Sequence, residues 1–365
     1  MKILYVFTVG GTSCFFPELI RKLIDRGDRV DIACGRPDRV KQCYRDWNCS
    51  IYELSCNRNP FGAGTRKAVR EIRELVTANK YDIVHCHTPV AAFCTRLACR
   101  KLRKSGLKVF YTAHGFHFFK GAPLKNWVMF YPLESLCAKW TDVLITINQE
   151  DYERAKNKLH ADRIVYVPGV GIDVAKFRDA HCDKGQLRKE IGVPEDAFML
   201  LSVGGLNDNK NHRSVMKACE SLRRTDIHYV IAGEGDQEKE ISEYAAGMKC
   251  ADRIHILGRR EDVPQLCKAS DCFIIPSFRE GLPVALMEAM ASGLPSLGSD
   301  IRGVRDLIGS ERRFVPADCD QIAGLIDRMY SSSEWREKAV SDDWSVIDRF
   351  SEETVNQQMI ELYGG

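Results

Sequence analysis

The chain has 365 residues, 44% hydrophobic and 28% charged, a globular composition in a chain too long for one ordinary core, so two domains are expected. No run approaches the ~20 apolar residues of a membrane span, and Met1-Lys2-Ile3-Leu4-Tyr5-Val6-Phe7 reads as a strand without the cleavage pattern of a secretory leader. The net charge of +3 hides an asymmetry: residues 1–168 carry 28 Lys and Arg against 16 Asp and Glu, the remainder 25 against 34. The basic half calls either for an anionic partner (a lipid surface, a phosphorylated acceptor or nucleic acid) or for nothing beyond solvent.

The first strand, at 2–7, runs into Thr8-Val9-Gly10-Gly11-Thr12. Gly10 and Gly11 permit close backbone approach to a ligand, although the loop lacks the G-x-G-x-x-G spacing of dinucleotide sites. Strands are predicted at 29–34, 50–54 and 81–86, with a helix at 66–78. On the last of these strands His85 and His87 share a face and Cys86 points away, which argues against zinc. The fifteen cysteines form no C-x-x-C pair. They are expected as reduced, mostly buried thiols in a cytosol.

A helix at 89–104 carries the basic run Arg96, Arg100, Lys101, Arg103 and Lys104. The strand at 108–112 ends at His114, beside Gly115. Phe116, Phe118, Phe119, Lys120, Lys125, Trp127, Phe130 and Tyr131 follow, with a helix at 126–139 whose lone acid is Glu134. Aromatic rings interleaved with lysines suit lipid headgroups, and the competing expectation is a helix packed on its own domain. Nucleic acid would ask for a similar mix, but no nucleic-acid motif is present and none is expected as a partner. A strand at 142–147, a helix at 149–158 and a strand at 163–167 complete this half.

Pro168-Gly169-Val170-Gly171-Ile172-Asp173 reads as a hinge. The strand at 198–203 then enters Gly204-Gly205-Leu206-Asn207-Asp208-Asn209-Lys210-Asn211-His212. Strands at 227–232 and 253–257 lead to Gly233 and to Gly258-Arg259. The strand at 272–275 stops at Pro276. Beyond it Glu280, Gly281, Leu282, Pro283 and Val284 open a helix expected to reach about 291 and to end at Gly293. A helix start beside glycine leaves backbone N–H groups for an anion, and Glu280 and Glu288 frame it with carboxylates. A partly anionic, partly hydroxylated ligand fits. A strand at 295–297 and helices at 318–330, 334–347 and 352–362 close the chain. The alternation predicts doubly wound parallel sheets with ligands at the carboxyl ends of the strands.

The string E-G-L-P-x-x-x-x-E-A-M-A-x-G from Glu280 to Gly293 resembles the signature of the retaining glycosyltransferases of family 4. That resemblance implies an α/β fold of the GT-B type, with two Rossmann-like doubly wound domains facing a cleft. The expected division is 1–168 for the acceptor-binding, membrane-facing domain and 169–350 for the nucleotide-sugar domain, with 351–365 crossing back to the first. It places Gly10 and Gly11 near the acceptor and the donor phosphates, His114 on the transferred sugar, and Lys210 on the donor diphosphate. Gly204 belongs to the same loop, and Gly205 stands where the family usually has an arginine, so one phosphate-binding cation is missing: either donor affinity is lower, or Arg213 or a residue of the other domain substitutes. Gly258 and Arg259 would border the base. Gly281, Leu282, Pro283 and Val284 would cradle phosphate, Glu288 would take the ribose hydroxyls and Glu280 the sugar hydroxyls.

The function implied is transfer from a nucleoside diphosphate sugar, a UDP-sugar on family grounds with N-acetylhexosamines among the candidates. Attack comes on the face that the leaving group vacates, the departing phosphate takes the acceptor proton, and no cofactor or metal is expected. T-A-H-G-F-H-F and N-x-N-K-N-H resemble bacterial capsular and exopolysaccharide transferases. With Phe116, Phe118, Phe119, Lys120, Lys125 and Trp127 they point to a polyprenyl-diphosphate-linked sugar as acceptor and to a peripheral cytoplasmic protein on an anionic inner membrane face. The alternatives are a nucleotide-sugar epimerase of the same architecture and a non-catalytic nucleotide-sugar-binding protein.

Overall fold

The computed structural model describes residues 1–56 and 62–364. The chain divides into two compact units, Met1–Val170 with Glu353–Gly365, and Gly171–Glu352. In the first unit, β1 (Lys2–Phe7), β2 (Arg29–Cys34), β3 (Ile51–Glu53), β4 (Ile83–His87), β5 (Lys108–Ala113), β6 (Val143–Thr146) and β7 (Arg163–Tyr166) form one sheet, in the order β3-β2-β1-β4-β5-β6-β7. Every pairing is parallel. Burial on both faces explains why β1 reads as a nearly unbroken apolar run. Leu4 and Val6 join the core on one side with Val84, Val109 and Leu144, and Ile3, Tyr5 and Phe7 join the other with Ile32, Phe110 and Ile145. Val355, Met359, Leu362 and Tyr363 of the last helix, Glu352–Gly364, belong to that second core.

The second unit holds β8 (Phe198–Val203), β9 (Ile227–Ala232), β10 (Ile254–Ile256), β11 (Cys272–Ile275), β12 (Ser296–Ser299) and β13 (Arg313–Phe314), in the order β10-β9-β8-β11-β12-β13, again parallel. Strand order reverses beside β1 and β4 in one sheet and beside β8 and β11 in the other. Loops leaving such neighbours in opposite directions open a crevice at the carboxyl edge. Gly10 follows β1, Gly204 follows β8, and Glu280 follows β11.

Several sequence expectations change here. The predicted helix at 89–104 ends at Cys99, and a short 3-10 turn covers Leu102–Ser105. Two members of its basic run are paired with acids, while Arg100, Lys101 and Lys104 are exposed. Arg96 is buried, stacks on Tyr111 and forks onto Glu134, the one acid of the helix Leu124–Ala138, while Arg103 bonds Asp142 and Asp162. Phe116 and Phe118 were expected at a lipid surface. They are 3% and 1% exposed, stacked on each other in the core, because apolar rings beside a sheet gain more by packing than by facing solvent. Phe119 and Trp127 are half-buried, and Lys120 and Lys125 are exposed. All fifteen cysteines are unpaired. Among the described residues, no helix is long and apolar enough to cross a membrane.

Candidate functional site

In the second unit β11 ends at Pro276, and the helix Val284–Ala291 begins with Pro283 as its N-cap. Leu286 and Met287 donate to the Pro283 carbonyl. The N–H groups of the turn before them have no carbonyl within the helix, and they carry its positive dipole end. The turn is held open by neighbours. Phe278 N–H donates to the Asn209 carbonyl, Asn209 Nδ2 to the Arg279 carbonyl, and Asn211 Nδ2 to the carbonyls of Pro276 and Pro316. Arg302 Nε donates to the Glu280 carbonyl at 3.2 Å. Gly303, at φ +76°, lies so close that an added Cβ would sit 2.2 Å from the Gly281 oxygen. Only glycine fits there.

Lys210 and Glu280 meet directly, with Nζ 2.7 Å from Oε1. The Lys210 stem lies across Gly204, where a Cβ would come 3.1 Å from its Cε. Gly205 is tight against Asn207, and Gly233 N–H donates to the Gly258 carbonyl. The loops after β8, β9, β10 and β11 are thus stacked into one rim. Gly258 has open space around its α-carbon at φ +65°, and the exposed Arg259 has long ion pairs, 4.0 Å to Glu234 and 3.7 Å to Glu261. Arg213 stacks over the Tyr244 ring. Beside Lys210, Arg302 is a second cation against this turn.

Glu288 lies on the helix that Val284, half-buried, begins, just after Leu282 and the N-cap Pro283, which are buried. Burial pushes its carboxyl up to about 7, with the Lys176 ammonium pulling the other way. A desolvated carboxylate wants donors, and hydroxyl groups supply them.

In the first unit Gly10 and Gly11 separate in role. A Cβ on Gly10 would strike the Arg36 oxygen at 2.5 Å, whereas Gly11 has nothing within 4 Å. Gly10 is needed for packing, and Gly11 leaves the backbone approachable. His114 follows β5, half-buried, and burial holds its ring down to about 4, so it is neutral. Its Nε2 lies 3.1 Å from His87 Nδ1.

Sequence reasoning missed this partner and the strained residue after it. Thr88 has φ +65° and ψ 142°, a region that β-branched residues avoid at a cost of about 1–3 kcal/mol. Thr8 holds it there: Thr8 N–H donates to Thr88 Oγ1 at 3.0 Å, and the two hydroxyls are 2.6 Å apart. The lone positive φ of a threonine is not written in the sequence. A histidine at the carboxyl end of the strand beside β1 was the available signal.

A groove of about 560 Å³ opens beside these groups, walled by Thr8, Thr88, Phe93, His117, Met129 and Phe130. Its far wall is the helix Leu124–Ala138, on which Leu124, Val128, Pro132 and Leu136 recur every fourth residue as one exposed row. Such a row is a single face of the helix. Leu124 is 76% and Val128 69% exposed.

Two parallel, doubly wound α/β units in one chain, each with its crevice at the carboxyl edge, make this a GT-B glycosyltransferase fold. The same fold is found in Anabaena Alr3699/HepE, solved in complex with UDP, at a TM-score of 0.83 and 19% identity over the full length of both chains. The family models for glycosyl transferases group 1 and glycosyltransferase family 4 match residues 183–342 and 9–176. The chain belongs to glycosyltransferase family 4. It is 35% identical over 319 residues to the putative glycosyltransferase EpsD of Bacillus subtilis (strain 168), covering 86% of this chain and 84% of that one. It is also 34% identical over 255 residues to an Escherichia coli protein named UDP-Gal:alpha-D-GlcNAc-diphosphoundecaprenol alpha-1,3-galactosyltransferase, covering 67% of this chain and 64% of that one.

Proposed function

We propose that this glycosyltransferase moves a sugar, with retention, from a UDP-sugar to a polyprenyl-diphosphate-linked sugar in the assembly of a bacterial surface polysaccharide. The observation that carries the reading is the Lys210–Glu280 pair, 2.7 Å apart beside the opening of the helix Val284–Ala291. The helix end and Lys210 supply positive charge for the leaving diphosphate, a contribution worth several kcal/mol in such sites. Positive charge from those groups suffices, and the reading asks for no metal. Glu288 accepts from the ribose hydroxyls and Glu280 from the transferred sugar, an N-acetylhexosamine being one donor of the right chemistry. The bond from the anomeric carbon to the diphosphate oxygen breaks, the acceptor oxygen bonds to that carbon from the same face, and its proton passes to the departing phosphate.

A lipid-linked acceptor is supported by the exposed Leu124–Leu136 row, by Lys120 and Lys125 beside it, and by the activity for which the E. coli relative is named. The row lies in the interface plane of an anionic inner membrane while the lysines meet phosphate. Localisation in this reading is cytoplasmic and peripheral.

The test is release of nucleoside diphosphate from a panel of nucleotide sugars, with and without short-chain polyprenyl-diphosphate sugars, for the native chain and Glu280→Gln. Acceptor-dependent release from one donor, lost in the variant, is expected. Release of an epimer or free sugar without acceptor would make the chain an epimerase. Tight donor binding without release under any acceptor would make it a binding protein.

A further inference from the structure

The histidines at the carboxyl edge of the first sheet form a hydrogen-bonded cluster closed by the last helix. His85 bonds Tyr363 through Nδ1 and Thr112 through Nε2, and the Tyr363 hydroxyl also meets that of Tyr5. His87, 1% exposed, bonds His114 through Nδ1. Two buried polar atoms near it have no partner among the described residues: His87 Nε2 and Asn356 Nδ2. Both residues line one cavity of about 20 Å³, together with His85, Thr112 and His114, and Phe16, Leu19 and Met359 supply much of its apolar wall. That volume holds one water.

A neutral histidine carries one proton, so the Nδ1–Nε2 contact has one direction. Burial keeps His87 and His114 uncharged near neutrality. If His114 donated, His87 would carry its proton on Nε2. That N–H and the Asn356 amide would then both be donors, which only a shared water could match by accepting from both and turning its own two protons elsewhere. If His87 donates, its Nε2 is a bare acceptor and Asn356 is its complement, directly or through one water.

We propose that His87 is a positioning residue that donates from Nδ1 to His114 Nε2 and thereby fixes His114 with its proton on Nδ1. Asn356, on the helix Glu352–Gly364, sets the direction from behind. Nδ1 is then the ring nitrogen of His114 left for a ligand, and it can only give a hydrogen bond to oxygen. His114 is not the base that removes the acceptor proton. The consequence for transfer rests on the reading of His114 as the histidine on the sugar, while the tautomer itself does not.

The experiment uses the full chain labelled with ¹⁵N-histidine at pH 7.5, with ring nitrogens read from long-range ¹H–¹⁵N spectra. Among the nine histidines, His114 and His87 are assigned by signal loss in His114→Gln and His87→Asn. Both His87 and His114 are expected as single Nδ1–H tautomers. His87→Asn, whose side-chain N–H takes the place of Nδ1–H, is expected to keep the His114 signal, and His87→Leu to move it to the Nε2–H form or to an average. A His114 proton on Nε2 in the native chain, or a His114 spectrum indifferent to His87→Leu, overturns the assignment. Transfer is expected to lose at least tenfold in kcat in His87→Leu, with donor KM held within threefold and most of kcat restored in His87→Asn. The expected spectrum in a chain that transfers no sugar would uphold the tautomer and overturn the proposed function instead.

Discussion

The Lys210 ammonium and the Glu280 carboxylate are joined at 2.7 Å, although seventy positions separate them. Each is read as a ligand for a different part of one donor, so donor binding has to part them. A charged hydrogen bond of this kind contributes about 1.5–3 kcal/mol. Lys210→Met is expected to weaken binding of the donor's nucleoside diphosphate by about 10- to 100-fold. Glu280→Gln frees the lysine, so the same titration is expected to show unchanged or slightly tighter binding while turnover falls at least a hundredfold, the order lost with one electrostatic group. Equal loss of affinity in both variants would contradict the division of roles. Calorimetry with the nucleoside diphosphate, beside initial rates, decides it.

If Glu288 takes the ribose hydroxyls as proposed, donor binding is expected to depend on pH. Burial holds its carboxyl near 7, and ribose hydroxyls bind better to the ionised form. Affinity is therefore expected to rise as pH climbs from 6 to 8, by up to about tenfold per unit on the acid side. In Glu288→Gln the profile is expected to be flat. Fold stability runs the other way. A carboxyl raised above its unfolded value contributes most below about 4.5, and that contribution is lost as pH rises through 7. Glu288→Gln is thus expected to gain in Tm relative to the native chain between pH 5 and 8. A Tm difference that stays constant with pH would show that Glu288 is not held in its neutral form.

The exposed row on the helix Leu124–Ala138 sets a test on vesicles. Leu124→Glu with Val128→Glu puts two charges where apolar side chains would enter the interface. Sedimentation with phosphatidylglycerol vesicles is expected to fall at least tenfold, since each buried apolar side chain contributes about 1.5–3 kcal/mol. Binding of the nucleoside diphosphate is expected to be unchanged. Undiminished vesicle binding would move the contact elsewhere on the basic half.

Arg312 and Asp343 form a two-pronged pair at 2.9 and 2.7 Å, both at most 2% exposed. Removing one partner strands the other charge in the interior. Asp343→Ala is expected to cost the second unit about 3–5 kcal/mol, read as a lower denaturant midpoint in its unfolding transition. A loss below 1 kcal/mol would mean that the arginine finds water or another acceptor.

The second unit was largely legible because its chemistry is local. Pro276, Gly281, Pro283 and Gly293 punctuate a strand, a turn and a helix in one stretch, and Glu280 and Glu288 lie inside it. The groups that hold this stretch were not legible. Asn209, Asn211 and Arg302 reach it from other loops through side-chain bonds to backbone carbonyls, and no spacing announces such bonds. The two-residue β13 is too short to leave a pattern. In the first unit the strands and the address of His114 were readable, since apolar runs and their carboxyl ends are sequence features. The partnership with His87 was not, for it depends on β4 lying beside β5. Alternating rings and lysines after Gly115 could not say which rings turn inward, so Phe116 and Phe118 were misplaced at the surface. The pairing of Arg96 and Arg103 was not legible either, because Glu134 and Asp142 lie 38 and 39 positions from the arginines they neutralise.

The last helix belongs to the unit that the first residues begin, and the whole of Gly171–Glu352 intervenes. During synthesis, β1 to β7 emerge long before Val355, Met359 and Tyr363 exist to cover them. The ribosome must complete the second unit while the first still exposes an apolar face. A nascent chain stalled before residue 353 would hold the first unit without its last helix, with His85 lacking its tyrosine. Growing chains normally complete domains in the order they emerge; here the unit begun first is the last to close.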